Sequence, residues 1–163
     1  MMDAEFEIRP YQGRADKREL QLIELPRKYI RQYTNAPPFY YALMMLGISR
    51  DYLYLLIQNG SERIAGTVLL RRRLSITGRT YHWKMHAVFV APDLRGKGLA
   101  VKLVYYALAR LREHGAEEVS LKVDEGNEAA ISLYRKCGFI ERMRTNKQHI
   151  LVKQLTGTAQ PEE

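Results

Sequence analysis

The chain has 163 residues, 46% of them apolar and 27% charged, and its 26 Lys and Arg against 18 Asp and Glu give a formal net charge of +8. This length suits one domain, and the composition is that of a globular chain rather than a disordered or fibrous one. No apolar run reaches the ~18 residues of a transmembrane helix, and the acidic N-terminus lacks the apolar region of a secretory signal.

The first half of the chain predicts four strands and two helices. Strands are indicated where apolar and polar side chains alternate between turn residues, and helices where apolar residues recur every three or four positions. Pro26 must kink or break the first helix, and Gly66 indicates a bulge or a close contact within a strand. The predicted strands are residues 5–9, 51–58, 63–74 and 80–90, and the predicted helices are residues 15–33 and 39–46.

The second half predicts two amphipathic helices and three strands. Apolar residues recur at steps of three and four across residues 98–114, which predicts the first of these helices. The second is predicted over residues 127–136, with Asn127 as its N-cap. The remaining strands are predicted at residues 118–123, 139–144 and 148–155.

The order of these elements predicts the fold class. Strands and helices alternate in a way that indicates a single α/β (α+β) domain over residues 1–156, followed by a polar tail at residues 157–163. We expect a mixed central sheet of about seven strands with helices on both faces.

The excess of basic residues is compatible with three kinds of anionic partner: nucleic acid, an anionic membrane or a polyanionic small molecule. The cations are spread along the chain, and the cluster Arg71-Arg72-Arg73 falls on a predicted strand, where side chains alternate between faces. We therefore disfavour nucleic acid and expect a basic rim around a small anionic ligand.

Cys137 is the only cysteine, so no disulfide can form within the chain, and a reducing cytoplasm is the expected compartment. A cysteine can act as a nucleophile. Cys137, however, lies on the apolar face at the end of the second predicted helix, just before Gly138. We expect it to be a small buried apolar residue.

A glycine-rich loop separates the fourth predicted strand from the helix that follows. The segment VFVAPDLRGKGLAVKLVY places two cations and two glycines at residues 95–98. A helix N-terminus exposes unpaired N–H groups and a positive partial charge, and glycine lets the backbone curl around an anion. The glycines and cations at residues 95–100, before a helix, therefore indicate a loop that binds a diphosphate. A solvated loop with a glycine hinge is the alternative.

Two segments resemble the GNAT superfamily of acetyl-CoA-dependent N-acetyltransferases. RGKGLA, at residues 95–100, is similar to the family's R/Q-x-x-G-x-G/A loop and follows a strand that ends in VFVAP, as in that family. VDEGNEAAISLYRKCGF, at residues 123–139, resembles the family's V-x-x-x-N-x-x-A-x-x-L-Y-x-x-x-G-F segment. The resemblance implies a mostly antiparallel sheet that is splayed at the strands that bind the cofactor.

The resemblance also implies roles for residues at the matched positions. Val88 and Val90 would pair with the pantetheine arm of acetyl-CoA as an added strand does. Asn127 and Tyr134 would line the thiol end, with Tyr134 as the general acid that protonates the leaving thiolate. By its spacing alone, Tyr134 could equally be a core residue. The diphosphate would be held by Arg95, Gly96, Lys97, Gly98, Leu99 and Ala100.

The general base is the least defined of the implied roles. Many family members carry Glu or His on the long strand, at the positions that His86 and Lys84 occupy here. Strand alternation predicts that one face carries Lys84, His86, Val88 and Val90, which makes His86 the candidate base. The alternatives are His82, which lies earlier on the strand and farther from Val88, and a chain of waters that carries the proton to bulk solvent.

The implied reaction is the direct attack of a primary amine on the thioester of acetyl-CoA. The amine belongs to a small molecule, peptide or protein, and no metal takes part. A backbone N–H of the strand at residues 88–90 would stabilise the oxyanion. Residues 29–46, rich in tyrosine and methionine, are either core or the aromatic wall of a pocket for an apolar or aromatic amine or a peptide end. Lys84 and residues 71–73 indicate instead an acceptor that carries a carboxylate, and the sequence leaves these alternatives open. A non-catalytic acyl-CoA-binding domain is the alternative function. We expect a cytoplasmic monomer or homodimer.

Overall fold

The structure is a computed structural model that describes residues 5–11, 51–61, 63–74 and 81–156. The two helices predicted at residues 15–33 and 39–46 lie outside the described residues, as do the tyrosine-rich segment at residues 29–46 and the C-terminal tail.

Within the described residues, seven strands form one sheet in the order β1-β2-β3-β4-β5-β7-β6. Neighbouring strands are antiparallel except β4 and β5, which are parallel. The predicted mixed, mostly antiparallel sheet is therefore confirmed. The strands are β1 (Phe6–Pro10), β2 (Asp51–Gln58), β3 (Arg63–Leu74), β4 (Tyr81–Val90), β5 (Glu118–Asp124), β6 (Ile140–Arg144) and β7 (Gln148–Gln154).

Helices α1 (Leu99–Glu113) and α2 (Glu128–Lys136) both contribute to one hydrophobic cluster with the sheet, and a short 3-10 helix (Pro92–Leu94) precedes α1. The apolar stripe of α1 is buried as its periodicity predicts. Neither described helix is long and apolar enough to span a membrane. The buried stripe comprises Leu99, Leu103, Val104, Ala107, Leu108 and Leu111.

Gly66 lies beside a bulge in β3 and in close contact with β4. Leu56 pairs with Gly66, whereas the next residue, Ile57, pairs with Ile64, so β3 bulges at this point. A Cβ atom added to Gly66 would lie 2.6 Å from the carbonyl oxygen of Phe89. Both the bulge and the close contact predicted for Gly66 are therefore present.

A second bulge, in β4, was not predicted. Thr67 pairs with Phe89, but Leu69 pairs with His86, so two residues of β4 oppose a single residue of β3. Ala87, inside this bulge, has a φ of 49° and is the one non-glycine residue in the described ranges with a positive φ.

The β4 bulge reverses which face each later side chain takes. The core cluster receives Trp83 and Met85 before the bulge and Val90 after it, because one extra residue shifts the two-residue period of a strand. His86 shares a face with its partner Leu69 and so lies opposite Val90. The prediction that one face carries Lys84, His86, Val88 and Val90 is therefore wrong.

The parallel strands β4 and β5 separate toward their C-terminal ends. Two residue pairs join them, Trp83 with Val119 and Lys84 with Ser120. Both strands are fully described, and beyond these pairs they are not bonded to each other as far as Val90 and Asp124. The predicted splay is confirmed, and it leaves one edge of β4 available.

Candidate active site

A cavity of about 420 Å³ lies where the splayed end of β4 meets the N-termini of α1 and α2. It collects nearly all the residues that the sequence predicted for a site, with the exceptions of Lys97 and His86. The lining residues are Val88, Phe89, Val90, Leu94, Arg95, Gly96, Gly98, Leu99, Ala100, Val101, Asn127, Ala129, Ala130, Leu133 and Tyr134.

The N-terminus of α1 forms the wall of the cavity with unpaired amide groups. The first hydrogen bond across its N-cap runs from the N–H of Lys102 to the carbonyl of Gly98, at 3.1 Å. The N–H groups of Leu99, Ala100 and Val101 therefore have no acceptor within the helix. No side chain caps this terminus, and its first turn has no acidic residue. Donors at the positive end of a helix dipole fit a phosphate group.

The two glycines of the loop are required by backbone conformation rather than by space. Gly96 has a φ of 80° and Gly98, the N-cap residue, a φ of 75°. Nothing lies within 4 Å of a Cβ atom added at either position. Residues with a side chain rarely adopt such angles, so the glycines let successive N–H groups of the loop turn toward one point.

Contacts on both sides of the loop hold it against the sheet. Arg63, at the start of β3, makes two hydrogen bonds of 2.8 and 2.7 Å to the carboxylate of Asp93. These bonds hold the pKa of the Asp93 carboxyl below its usual value. The Nε of Arg95 donates to the carbonyl of Val90 at 3.1 Å. The side chain of Arg95 thus ties the loop to β4 at the mouth of the cavity.

Asn127 has a structural role and also lines the cavity. Its side-chain oxygen accepts a hydrogen bond of 3.1 Å from the N–H of Ala130, so Asn127 is the N-cap of α2 that its position predicts. Its own N–H donates to the carbonyl of Asp124, at the end of β5, at 2.9 Å. These bonds fix the start of α2 beside the splayed strands.

Tyr134 lies on the buried face of α2 and is 9% exposed. Its ring contacts that of Phe139 edge to face, with centroids 5.6 Å apart. Because Tyr134 belongs to the core cluster and also lines the cavity, the two interpretations of this residue are compatible. Its ring is positioned by packing at the cavity wall.

Cys137 follows α2, is 1% exposed and does not line the cavity. Burial raises the pKa of its thiol, which disfavours the thiolate that a nucleophile requires. The structure agrees with the expectation of a small buried residue.

The three consecutive arginines do not form one patch. Arg71 makes two hydrogen bonds, of 2.7 and 3.0 Å, to the carboxylate of Asp51. The guanidinium of Arg72 lies 4.5 Å from the ring centroid of Tyr81, and Arg73 is exposed. Their side chains alternate, as expected for a strand. In the described part of the chain, no group of three His, Cys, Asp or Glu side chains could hold a metal ion.

Comparison with known proteins identifies the family. The chain matches the model of the acetyltransferase (GNAT) family over residues 19–139. It is 39% identical over 90 residues to a mycothiol acetyltransferase of Thermobispora bispora, which covers 46% of this chain and 30% of that protein. It is 28% identical over 90 residues to N-alpha-acetyltransferase 30 of Schizosaccharomyces pombe, with 55% of this chain and 59% of that protein covered.

The fold also matches solved structures. The structure of Arabidopsis thaliana NAA60 in complex with acetyl-CoA superposes with a TM-score of 0.69 at 15% identity, over 93% of this chain and 99% of that one. At this identity the likeness shows the fold. The matched segments span less than two thirds of the length of both curated relatives. The family model covers most of the described site, and the chain belongs to the GNAT family of acetyltransferases.

Proposed function

We propose that the chain is an acyl-CoA-dependent N-acetyltransferase, which moves an acetyl group from acetyl-CoA to a primary amine of a small molecule, peptide or protein. One observation carries this proposal. The uncapped N-terminus of α1, the unpaired edge of β4 and Tyr134 meet at a single cavity. Each of the three meets a different chemical need of the reaction.

The first need is to hold the anionic end of the coenzyme. The N–H groups of Leu99, Ala100 and Val101, which have no acceptor within the helix, lie at the positive end of α1, and such an end suits a diphosphate. Arg95 and Lys97 are exposed and add positive charge around the loop. Because Lys97 does not line the cavity, we assign it charge and a backbone amide rather than a side-chain contact.

The second need is to orient the pantetheine arm. Beyond its two residue pairs with β5, the edge of β4 that faces β5 is not paired with a neighbouring strand as far as Val90. The amide groups of the arm can pair with this edge as an added strand does. This pairing would direct the thioester between Val88 and Tyr134.

The third need is to stabilise charge during the reaction. We assign the N–H of Val88 as the donor to the carbonyl oxygen as negative charge develops there. We assign Tyr134 as the acid that gives a proton to the departing thiolate. The two groups belong to different elements that meet at the cavity, β4 and α2.

The attacking amine must be neutral, although a free alkyl ammonium has a pKa of about 10.4. We propose His86 as the base that removes its proton, from the face of the sheet opposite α1. Because the coenzyme would pass between β4 and β5, an amine arriving from that face would meet the thioester and His86 together. Lys84 lies on the same face of β4, where it would favour an acceptor with a carboxylate.

Replacing His86 with Ala should remove the acid limb of the pH profile of kcat/KM near neutrality. A base works only when deprotonated, so the native rate should fall as pH decreases. The matched control is His82→Ala, an exposed histidine of the same strand, which should keep the limb. An acid limb that persists in His86→Ala contradicts this assignment, and its loss only in His82→Ala transfers the role to that residue.

Replacing Asn127 should separate its two roles. Asn127→Ala removes the N-cap and should lower the free energy of unfolding of the chain by about 1 kcal/mol. Asn127→Asp keeps an equally good cap but loses the amide donor and adds negative charge, so it should unfold like the native chain and bind acetyl-CoA more weakly. Denaturant titration and calorimetry measure the two effects. Native affinity in Asn127→Asp would leave Asn127 with the capping role alone.

The proposed function is tested by thiol release from acetyl-CoA across a panel of amines, amino acids and N-terminal peptides. We expect acceptor-dependent release with at least one class. Tight binding of acetyl-CoA without turnover on any acceptor would instead support an acyl-CoA-binding domain without activity.

We also propose a cellular location, an oligomeric state and the absence of a nucleic-acid partner. A reducing, cytoplasmic location is consistent with a single cysteine that is buried. We propose a monomer or homodimer with no nucleic-acid partner, because Arg71 and Arg72 contact different partners, Asp51 and Tyr81, rather than forming one basic surface.

A further inference from the structure

A side-chain hydrogen bond from β3 acts directly on the bulge in β4. A bulge leaves the extra residue outside the ladder of backbone hydrogen bonds. The hydroxyl of Thr67, on the neighbouring strand β3, donates to the carbonyl oxygen of Ala87 at 2.9 Å. Thr67 is fully buried, so its hydroxyl supplies this carbonyl with a donor where water is excluded.

The direction of that bond determines the direction of the next amide. The described chain has no cis peptide bonds, and in a trans peptide the C=O of one residue and the N–H of the next point in opposite directions. Because the C=O of Ala87 points toward Thr67 on β3, the N–H of Val88 points away from β3. That direction leads to the opening between β4 and β5, where Val88 lines the cavity.

The conformation of Ala87 needs support from its surroundings. A φ of 49° is unfavourable for a residue with a side chain and persists only where neighbouring contacts hold it. Neighbouring contacts tie the strand close by: the carbonyl of Phe89 lies against Gly66, and the N–H of Ala91 donates to the carbonyl of Ala65 at 2.8 Å. Neither reaches the peptide between Ala87 and Val88, which the Thr67 hydroxyl fixes.

We propose that Thr67 is a positioning residue, which orients the N–H of Val88 toward the thioester oxygen through its hydrogen bond to Ala87. This inference rests on the proposed acetyltransferase function. It assigns the hydroxyl of Thr67 a role in turnover rather than in coenzyme affinity, because the diphosphate loop is held by other contacts.

The test compares Thr67→Val, which keeps the shape but loses the hydroxyl, with Thr67→Ser, which keeps the hydroxyl. A misdirected oxyanion donor costs up to about 10²-fold in rate. We expect Thr67→Val to lower kcat by about 10–100-fold, with the KM and Kd for acetyl-CoA changed by less than about threefold. Thr67→Ser should keep kcat within about threefold of the native value.

A matched control is Ile57→Val, a similarly small change in the buried part of β2, which should lower stability without affecting kcat. If Thr67→Val does not fold, Ala87→Gly is added both to the native protein and to the Thr67→Val variant, and these two proteins are compared. Glycine adopts a positive φ without strain, so this substitution should relieve the bulge. There too, loss of the hydroxyl should lower kcat by about tenfold or more.

A readout without turnover keeps this inference distinct from the proposed function. In ¹⁵N-labelled protein bound to CoA, the Val88 amide resonance should shift in Thr67→Val and return to its native position in Thr67→Ser. If no acceptor is acetylated, the proposed function fails while this measurement still tests the positioning role. An unmoved Val88 resonance, native kcat in Thr67→Val, or a loss of kcat that serine does not restore would overturn the inference.

Discussion

Replacing Tyr134 with Phe is expected to lower kcat for acetyl transfer by about 10²–10⁴-fold, the range typical of a lost general acid or base. The substitution removes only the hydroxyl, and the ring that packs on Phe139 remains. Acetyl-CoA affinity should therefore change by less than about threefold. Release of the thiol, followed with a thiol reagent at saturating acceptor, measures kcat directly.

The matched control for this substitution is Tyr106→Phe. Tyr106 is a partly buried tyrosine of α1 that packs edge to face on Tyr54, with centroids 5.2 Å apart, and it does not line the cavity. Its hydroxyl should be dispensable for turnover. If Tyr134→Phe retains a kcat within about threefold of the native value, Tyr134 is a packing residue and the thiolate leaves by another route.

Replacing Gly98 with Val should weaken acetyl-CoA binding by about 10–100-fold. A φ of 75° is strained for a β-branched residue by about 1–3 kcal/mol, and each 1.4 kcal/mol is about tenfold in affinity. The free loop would relax to another conformation, and binding would have to restore the strained one. Isothermal calorimetry with acetyl-CoA measures the change.

Gly60→Val is a matched control for this second substitution. Gly60, in the turn between β2 and β3, has a φ of 83° and equally open space around an added Cβ atom. It therefore carries comparable backbone strain at a site that does not line the cavity. We expect a similar loss of stability but native affinity. Equal affinities of the two variants would show that the loop at Gly98 does not hold the coenzyme.

The elements that the sequence predicts well are those governed by local rules. Helix α1 was expected at residues 98–114 and is found at Leu99–Glu113, with Gly98 and His114 as its caps. The N-cap of α2 was assigned correctly to Asn127. Periodicity, capping residues and glycine content are all visible within a few neighbouring positions, so the loop at residues 95–100 is recognisable from its amino acids alone.

The β4 bulge could not be predicted in this way. The segment YHWKMHAVFV contains no glycine or proline to indicate it, and the side chain that hydrogen-bonds to the bulge, Thr67, lies twenty positions earlier in the chain. Strict alternation therefore assigned His86 and Val88 to the same face, whereas the extra residue separates them. The ion pair between Arg63 and Asp93 also joins residues thirty positions apart. Both features depend on contacts that form only when β3 and β4 pair.

A crystal structure of the chain with acetyl-CoA would show directly how the loop and β4 hold the coenzyme. We expect the diphosphate to contact the main-chain N–H groups of residues 95–100 and the pantetheine arm to pair with the edge of β4 that faces β5. The thioester should lie between the N–H of Val88 and the hydroxyl of Tyr134. A coenzyme that binds with this loop turned away from its phosphates, or outside the opening between β4 and β5, would contradict this arrangement.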